Sequence, residues 1–270
     1  MFLPSFSVVR KIQMLRLHLN VGHQRAIAIG LMHAKQINNC DAIVVMDADG
    51  EDTAEGVLQL LRAYSNKGGA IAIFAERSRR LESPVFRLFY LCYKIMHRCL
   101  TGVSIRVGNF SVLPAQYLGS LSIMSELWNH YAAAVFRSKL PFNTIPIPRG
   151  PRIGGTSQMN FVGLVSHGLS AMSVFGDVVG VRVLVLSLIG SLLTGIGIFA
   201  VITTRVFTNW AIPGWATYAT GLLVIILFQL ITIAASFTFV VLLNRTNFNF
   251  LPFRDHAPFI AEIIDLYSHE

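Results

Sequence analysis

Two apolar segments near the end of the chain constrain its fold more than any other feature. Val183 to Thr204 carries no charged residue, and neither does Ala219 to Leu243. Each exceeds the roughly 20 residues that a helix needs to cross a bilayer. Arg182 and Arg205 bracket the first and Arg245 closes the second, with Trp210 and Trp215 in the aromatic stretch between them, where interfacial aromatics belong. Two spans joined by a short loop form a hairpin, so both ends of the chain lie on one side. Most Lys and Arg fall outside that loop, which predicts cytoplasmic termini by the positive-inside rule. Gly190, Gly195 and Gly197 are expected to let the two helices approach closely. No acid or base lies within either span, which argues against an ion or proton pathway and against a small transporter or flippase subunit. Only 13% of the residues are charged, against about 25% in soluble chains. The net charge of +8 is dispersed rather than packed into one helix. It fits a membrane surface and phosphate ligands better than nucleic acid. Cys40, Cys92 and Cys99 lack metal-ligand spacing and read as reduced packing residues. Met1 to Val9 is too short an apolar run, with no basic start, for a cleavable signal peptide.

The soluble part reads as alternating strands and helices. Ile12 to Leu19 alternates as a strand, Asn20 to His23 turns, and Gln24 to Gln36 is a helix rich in small residues. With the next strand, Ile43 to Met46, this predicts a right-handed βαβ unit in a parallel sheet. That strand runs into Asp47-Ala48-Asp49-Gly50-Glu51-Asp52, and a helix follows from Val57 to Asn66. Carboxylates at the carboxyl end of a strand stand at the edge where open α/β sheets bind ligands. Asp47 and Asp49, two apart, point to one side of an extended chain. Such a pair suits a hard divalent cation that also holds phosphate oxygens, or else a solvated turn capping a helix. A strand over Ala70 to Ala75 ends at Glu76, Arg77, Arg79 and Arg80, arginines suited to bidentate phosphate contacts. Pro84 to Leu100 is a helix with an aromatic stripe, and Val103 to Val107 is strand-like, with Gly108-Asn109-Phe110-Ser111 after it. Ser125 to Ser138 is expected to be one helix capped by Ser125. Ile145 to Ser157 is a Pro/Gly-rich loop bearing Arg149 and Arg152. Met159 to Gly180 is amphipathic, with His167, Ser170, Ser173 and Asp177 on one face, and is expected to lie along the bilayer surface. The tail is expected to hold a short helix around Phe259 to Tyr267.

Five motifs occur in order: Asn20-Val21-Gly22-His23-Gln24-Arg25-Ala26, Asp47 to Asp52, Glu76 to Arg80, Gly108-Asn109-Phe110, and Arg152-Ile153-Gly154-Gly155-Thr156-Ser157. Followed by paired apolar spans, they resemble the polyprenyl-phosphate glycosyltransferases of family 2, the dolichyl-phosphate mannosyltransferase-like enzymes and their bacterial undecaprenyl-phosphate relatives. The resemblance runs from about Val9 to Arg245. It implies an α/β fold: a Rossmann-like GT-A domain over residues 1–158, an interfacial segment over 159–181, a transmembrane hairpin over 182–245, and a cytoplasmic tail over 246–270. The family opens with a further strand and helix that hold the nucleotide base. The resemblance therefore implies an N-terminally truncated domain, short of at least one βα unit of about 30 residues.

The implied activity is metal-dependent, inverting transfer of one sugar from a nucleotide-sugar to a polyprenyl phosphate, in cell-envelope glycan or glycolipid assembly at the plasma membrane. Asp47, Asp49 and Glu51 would hold Mg²⁺ or Mn²⁺. Asn20, Gly22 and His23 would lie by the donor. Arg77, Arg79, Arg80, Arg149 and Arg152 would balance phosphate charge, with Ser157 in the signature after Arg152. Many relatives carry Asp where Asn109 stands. Asn cannot act as a base, but an ionised lipid phosphate needs positioning more than deprotonation. Asp49, Arg152 and Asn109 are the residues expected to matter most for the chemistry. Homo-oligomerisation is left open. The rival reading is a truncated, non-catalytic membrane relative that binds lipid or a partner protein.

Overall fold

The computed structural model describes residues 8–37, 40–77, 84–103, 107–153, 161–208, 214–246 and 250–268. In chain order the elements are β1 (Lys11–Leu17), α1 (His23–Ile37), β2 (Ala42–Val45), α2 (Ala54–Asn66), β3 (Ala72–Arg77), α3 (Pro84–Thr101), β4 (Val107–Pro114), α4 (Tyr117–Leu121), α5 (Tyr131–Arg137), β5 (Phe142–Ile147), α6 (Phe161–Ser173), α7 (Gly176–Phe207), α8 (Trp215–Thr246), α9 (Pro252–Asp255) and β6 (Ile260–Ser268). They divide into two compact units. One holds residues 1–83, 105–174 and 248–270, and the other holds 84–104 and 175–247.

The first unit is mixed α/β. A four-stranded sheet runs in the order β2-β4-β3-β5. β4 is antiparallel to both of its neighbours, and only β3 and β5 are parallel. The period-2 alternation of the strands sorts their side chains into two layers. Val45, Phe74 and Leu113 pack beneath α1, α4 and α5, through Met32, Leu121 and Tyr131 among others. Ile73, Phe110, Val112 and Ile147 pack on the opposite face against Leu60 of α2. Phe110 also stands against Gly56, where a Cβ would come within 2.8 Å of its ring. A side chain at Gly56 would push α2 off the sheet.

Several expectations need correction. The sheet is mixed rather than parallel. β1 does not join it, so β1, α1 and β2 form no βαβ unit. β1 instead pairs antiparallel with β6, from Lys11 opposite Ser268 to Leu17 opposite Ile260. The tail expected as a helix is therefore this second strand. Ile260-Ala-Glu-Ile-Ile-Asp-Leu-Tyr is rich in β-branched and aromatic residues, and β1 presents a facing edge. Gly108 to Ser111 lies inside β4 rather than after a strand. Ser125 to Ser138 is a 3₁₀ turn, Ser125–Trp128, followed by α5, not one helix. The break comes at His130, whose extended backbone and side chain, accepting from Ala133 N, make it the N-cap of α5.

The second unit contains α3 and two helices long and apolar enough to span a membrane, Gly176–Phe207 and Trp215–Leu243, with mean hydropathies of 2.4 and 2.5. Both run beyond the segments read from the sequence. They pack antiparallel: a Cβ on Gly180 would meet Val241, one on Gly190 would meet Leu230 and one on Gly197 would meet Leu223. Gly195 faces nothing within 4 Å and takes no part in that seam, contrary to expectation. Ser187 and Thr194 are buried along it. Small residues on one stripe let helix backbones approach without any hydrophobic driving force from lipid.

Candidate active site

β2 ends in a tight acidic turn that the chain ties back on itself. Asp47 N donates to Asp52 Oδ2 at 2.8 Å, and Glu51 N donates to Asp49 Oδ1 at 3.0 Å. Thr53 then caps α2, its Oγ1 accepting from Gly56 N at 3.1 Å. Gly50 takes φ +84°, which an L side chain rarely adopts, and a Cβ there would lie 2.3 Å from Ile153 Cγ1. The residue is glycine for both reasons.

The segment after β5 lies across this turn. Gly150 N donates to Glu51 O at 2.9 Å and Ile153 N donates to Asp49 O at 3.0 Å. Arg149 Nη1 pairs with Glu51 Oε2. Arg152 Nη2 pairs with Asp49 Oδ2 at 2.8 Å, and its Nε reaches Glu51 Oε1 at 3.4 Å. These side chains are 16–31% exposed, so the pairs are less screened than surface ones. Asp52 is buried, and loss of water raises its carboxyl pKa above the ordinary value; the Asp47 N hydrogen bond acts against this, and the Asp47 charge adds to it.

Asp47, Glu51, Asp52, Glu76, Asn109 and Arg149 line one cavity, floored by Phe110 and Ile147. Behind it, Gln24 Nε2 bonds Asn109 Oδ1 at 3.0 Å, and Gln24 Oε1 accepts from Tyr131 N at 2.7 Å. Tyr131 OH and Ser111 Oγ lie 2.6 Å apart, and complete burial raises the tyrosine pKa.

The structure thus brings together Asp47, Asp49, Glu51, Asn109, Arg149 and Arg152. Asn20 and Gly22 build the turn into α1: Asn20 Oδ1 accepts from Gly22 N at 2.9 Å, and Gly22 has φ +79°. Neither lines the cavity, and His23 meets the site through Gln24, at 2.9 Å. The side chain of Arg77, together with Arg79, Arg80 and Ser157, lies outside the described residues. Sequence reasoning missed Gln24, Glu76 and Asp52 as members of the site. All three stand inside the motifs, but the bonds that bring Gln24 to the site, to Asn109 and Tyr131, span 85 and 107 positions.

The carboxylates do not stand as a cation site. Among the described residues no three His, Cys, Asp or Glu side chains are grouped to hold a metal ion. Asp49 and Glu51 face guanidinium groups, which supply the positive charge expected of the ion. The donor set as arranged does not fit Mg²⁺ or Mn²⁺.

The chain is a distant relative of a glycosyltransferase. It is 23% identical over 206 residues to the uncharacterized glycosyltransferase YkcC of Bacillus subtilis (strain 168), a match covering 73% of this chain. The chain spans about 60% of the length of that relative. No family model matches the sequence.

Proposed function

We propose that the chain is a membrane-bound glycosyltransferase of family 2 that moves one sugar from a nucleotide-sugar to a polyprenyl phosphate. The observation that carries the reading is the convergence of Asp47, Glu51, Asp52, Asn109 and Arg149 at one cavity beside the end of β2, with Arg152 paired to Asp49 and Glu51. The likeness to YkcC supports sugar transfer, and the two apolar helices support a lipid-borne acceptor. In this reading the sheet unit is the GT-A-type domain and faces the cytoplasm. α6 lies along the bilayer surface, and α7 and α8 cross it.

The donor diphosphate takes Arg149 and Arg152 from Glu51 and Asp49, since arginine serves phosphate and carboxylate with the same fork. An oxygen of the acceptor phosphate forms the new bond to the anomeric carbon as the bond from that carbon to the diphosphate oxygen breaks, with inversion. The nucleoside diphosphate leaves with the electron pair. An ionised acceptor phosphate carries no proton that must be removed, so no general base is assigned. No step is routed through a metal.

The test is donor binding by full-length protein in nanodiscs, with a panel of uridine and guanosine diphosphate sugars. Binding that falls about tenfold or more in Arg152→Ala is the expected result. Binding unaffected by the substitution contradicts the role given to the loop.

A further inference from the structure

The hydrogen positions behind the cavity follow from one backbone group. Tyr131 N can only donate, and it lies 2.7 Å from Gln24 Oε1. That fixes the Gln24 amide: Oε1 accepts, so Nε2 donates. Nε2 reaches Asn109 Oδ1 at 3.0 Å and His23 Nε2 at 2.9 Å. Both partners must accept, so a neutral His23 carries its proton on Nδ1 and Asn109 turns Nδ2 away from Gln24. Gln24 and Asn109 are 8% and 5% exposed. A flipped amide would leave two like groups face to face without water to rescue them. The backbone of Asn109 is held as well, because Ser111 Oγ donates to Asn109 O at 2.8 Å. Ser111 has then spent its proton, so Tyr131 OH donates to Ser111 Oγ.

Asn109 Nδ2 has no hydrogen-bond partner among the described residues, and Asn109 lines the cavity with Asp47 and Glu76. The cavity thus presents the Asn109 amide as a neutral donor beside the carboxylates of Asp47 and Glu76, with Arg149, paired to Glu51, as its cationic donor. A phosphate oxygen finds its countercharge at Arg149; at Asn109 it would add to the negative charge of Asp47 and Glu76. A hydroxyl satisfies both, accepting from the amide and donating to a carboxylate. We propose that Asn109 is a specificity-determining donor that reads the oxygen of a neutral ligand hydroxyl, and that Gln24 is the positioning residue that sets its orientation. The identification of that hydroxyl as one on the donor sugar rests on the transferase reading above.

Two isosteric substitutions test this in the full chain, in nanodiscs. Asn109→Asp keeps the acceptor for Gln24 and turns the cavity-facing donor into an acceptor. Gln24→Glu keeps the acceptor for Tyr131 N but offers Asn109 a second acceptor, so Asn109 flips and presents Oδ1 to the cavity. Each variant alone is expected to fold. Together they set two carboxylates against each other, and the melting temperature is expected to fall by more than about 5 °C beyond the sum of the single effects. Simple additivity overturns the Gln24–Asn109 contact on which the assigned orientation rests, and this arm needs no ligand. In the second arm, the probes are uridine and guanosine diphosphates and the same nucleotides carrying a hexose. Both single variants add a negative charge, and each is expected to weaken the hexose conjugate about tenfold or more beyond its effect on the free diphosphate. Equal weakening of both probes overturns the hydroxyl assignment. A parent protein that binds no probe removes the sugar donor as the owner of the hydroxyl, and the orientation then stands or falls on the melting arm.

Discussion

Asp52 shows how a single residue holds the turn and what that costs. Its carboxylate receives Asp47 N, and burial raises its pKa above the ordinary value. A carboxyl whose folded pKa exceeds its unfolded pKa binds its proton more tightly in the native state. Its contribution to stability is therefore greatest below the unfolded value, falls as pH rises from there through the raised pKa, and stays low above it. Asp52→Asn keeps the oxygen acceptor without the buried charge. It is expected to raise the melting temperature by about 1–3 °C at pH 7, with the gain vanishing below about pH 4; thermal scans across that range check it. Gly50 has no such freedom. With φ +84° and Ile153 above it, Gly50→Ala is expected to cost about 1–3 kcal/mol. Ile153→Ala in the same chain should recover only the steric part, as a double-mutant cycle in denaturant would show. Arg149 and Arg152 are the countercharge of Asp49 and Glu51. Removing both, as Arg149→Gln/Arg152→Gln, leaves two carboxylates uncompensated. The variant is expected to bind Mn²⁺ alone about tenfold more tightly than the parent, read from the free-ion signal in electron paramagnetic resonance. Unchanged Mn²⁺ affinity would mean that the arginines do not set the cation preference of the turn.

At the scale of elements, the sequence was legible where pattern and partner are close together. The strand leading to Asp47, the α2 helix after Thr53 and the two apolar helices all carry their signal within their own residues. Strand pairing does not. Nothing within Lys11–Leu17 tells that it pairs with Ile260–Ser268 at the far end of the chain, because the alternation of β1 is the same whichever edge it meets. The same holds for β4, whose antiparallel placement between β2 and β3 makes the sheet mixed. The acidic turn and the arginine loop were each legible as site candidates. Their ion pairs were not, because more than ninety positions separate Glu51 from its arginine partners. The β1–β6 ribbon is held by its backbone ladder more than by charge. Lys11–Asp265 and Arg16–Glu262 are about half exposed or more, and each is worth at most about 1 kcal/mol. Phe259, just before β6, sets its ring tilted against Trp128 at 5.0 Å between centroids, and Trp128 also lies 4.1 Å from Phe250. Phe259→Ala is expected to cost about 1–3 kcal/mol, several times the effect of Lys11→Ala, in parallel thermal melts.

Across the whole molecule, the chain carries a sheet unit that gathers acid, amide and arginine at one cavity, and a pair of helices long and apolar enough to cross a bilayer. Sugar transfer to a lipid phosphate needs both, since the donor is water-soluble and the acceptor is not. The most direct measurement is transfer itself. Full-length protein in vesicles containing a polyprenyl phosphate is given nucleotide-sugars labelled in the sugar, and label in the organic phase is followed with the parent and with Arg152→Ala. The account predicts a labelled lipid product formed together with one nucleoside diphosphate per sugar, reduced at least about a hundredfold in the variant. Nucleotide release without labelled lipid, or lipid labelling that Arg152→Ala leaves unchanged, would contradict it.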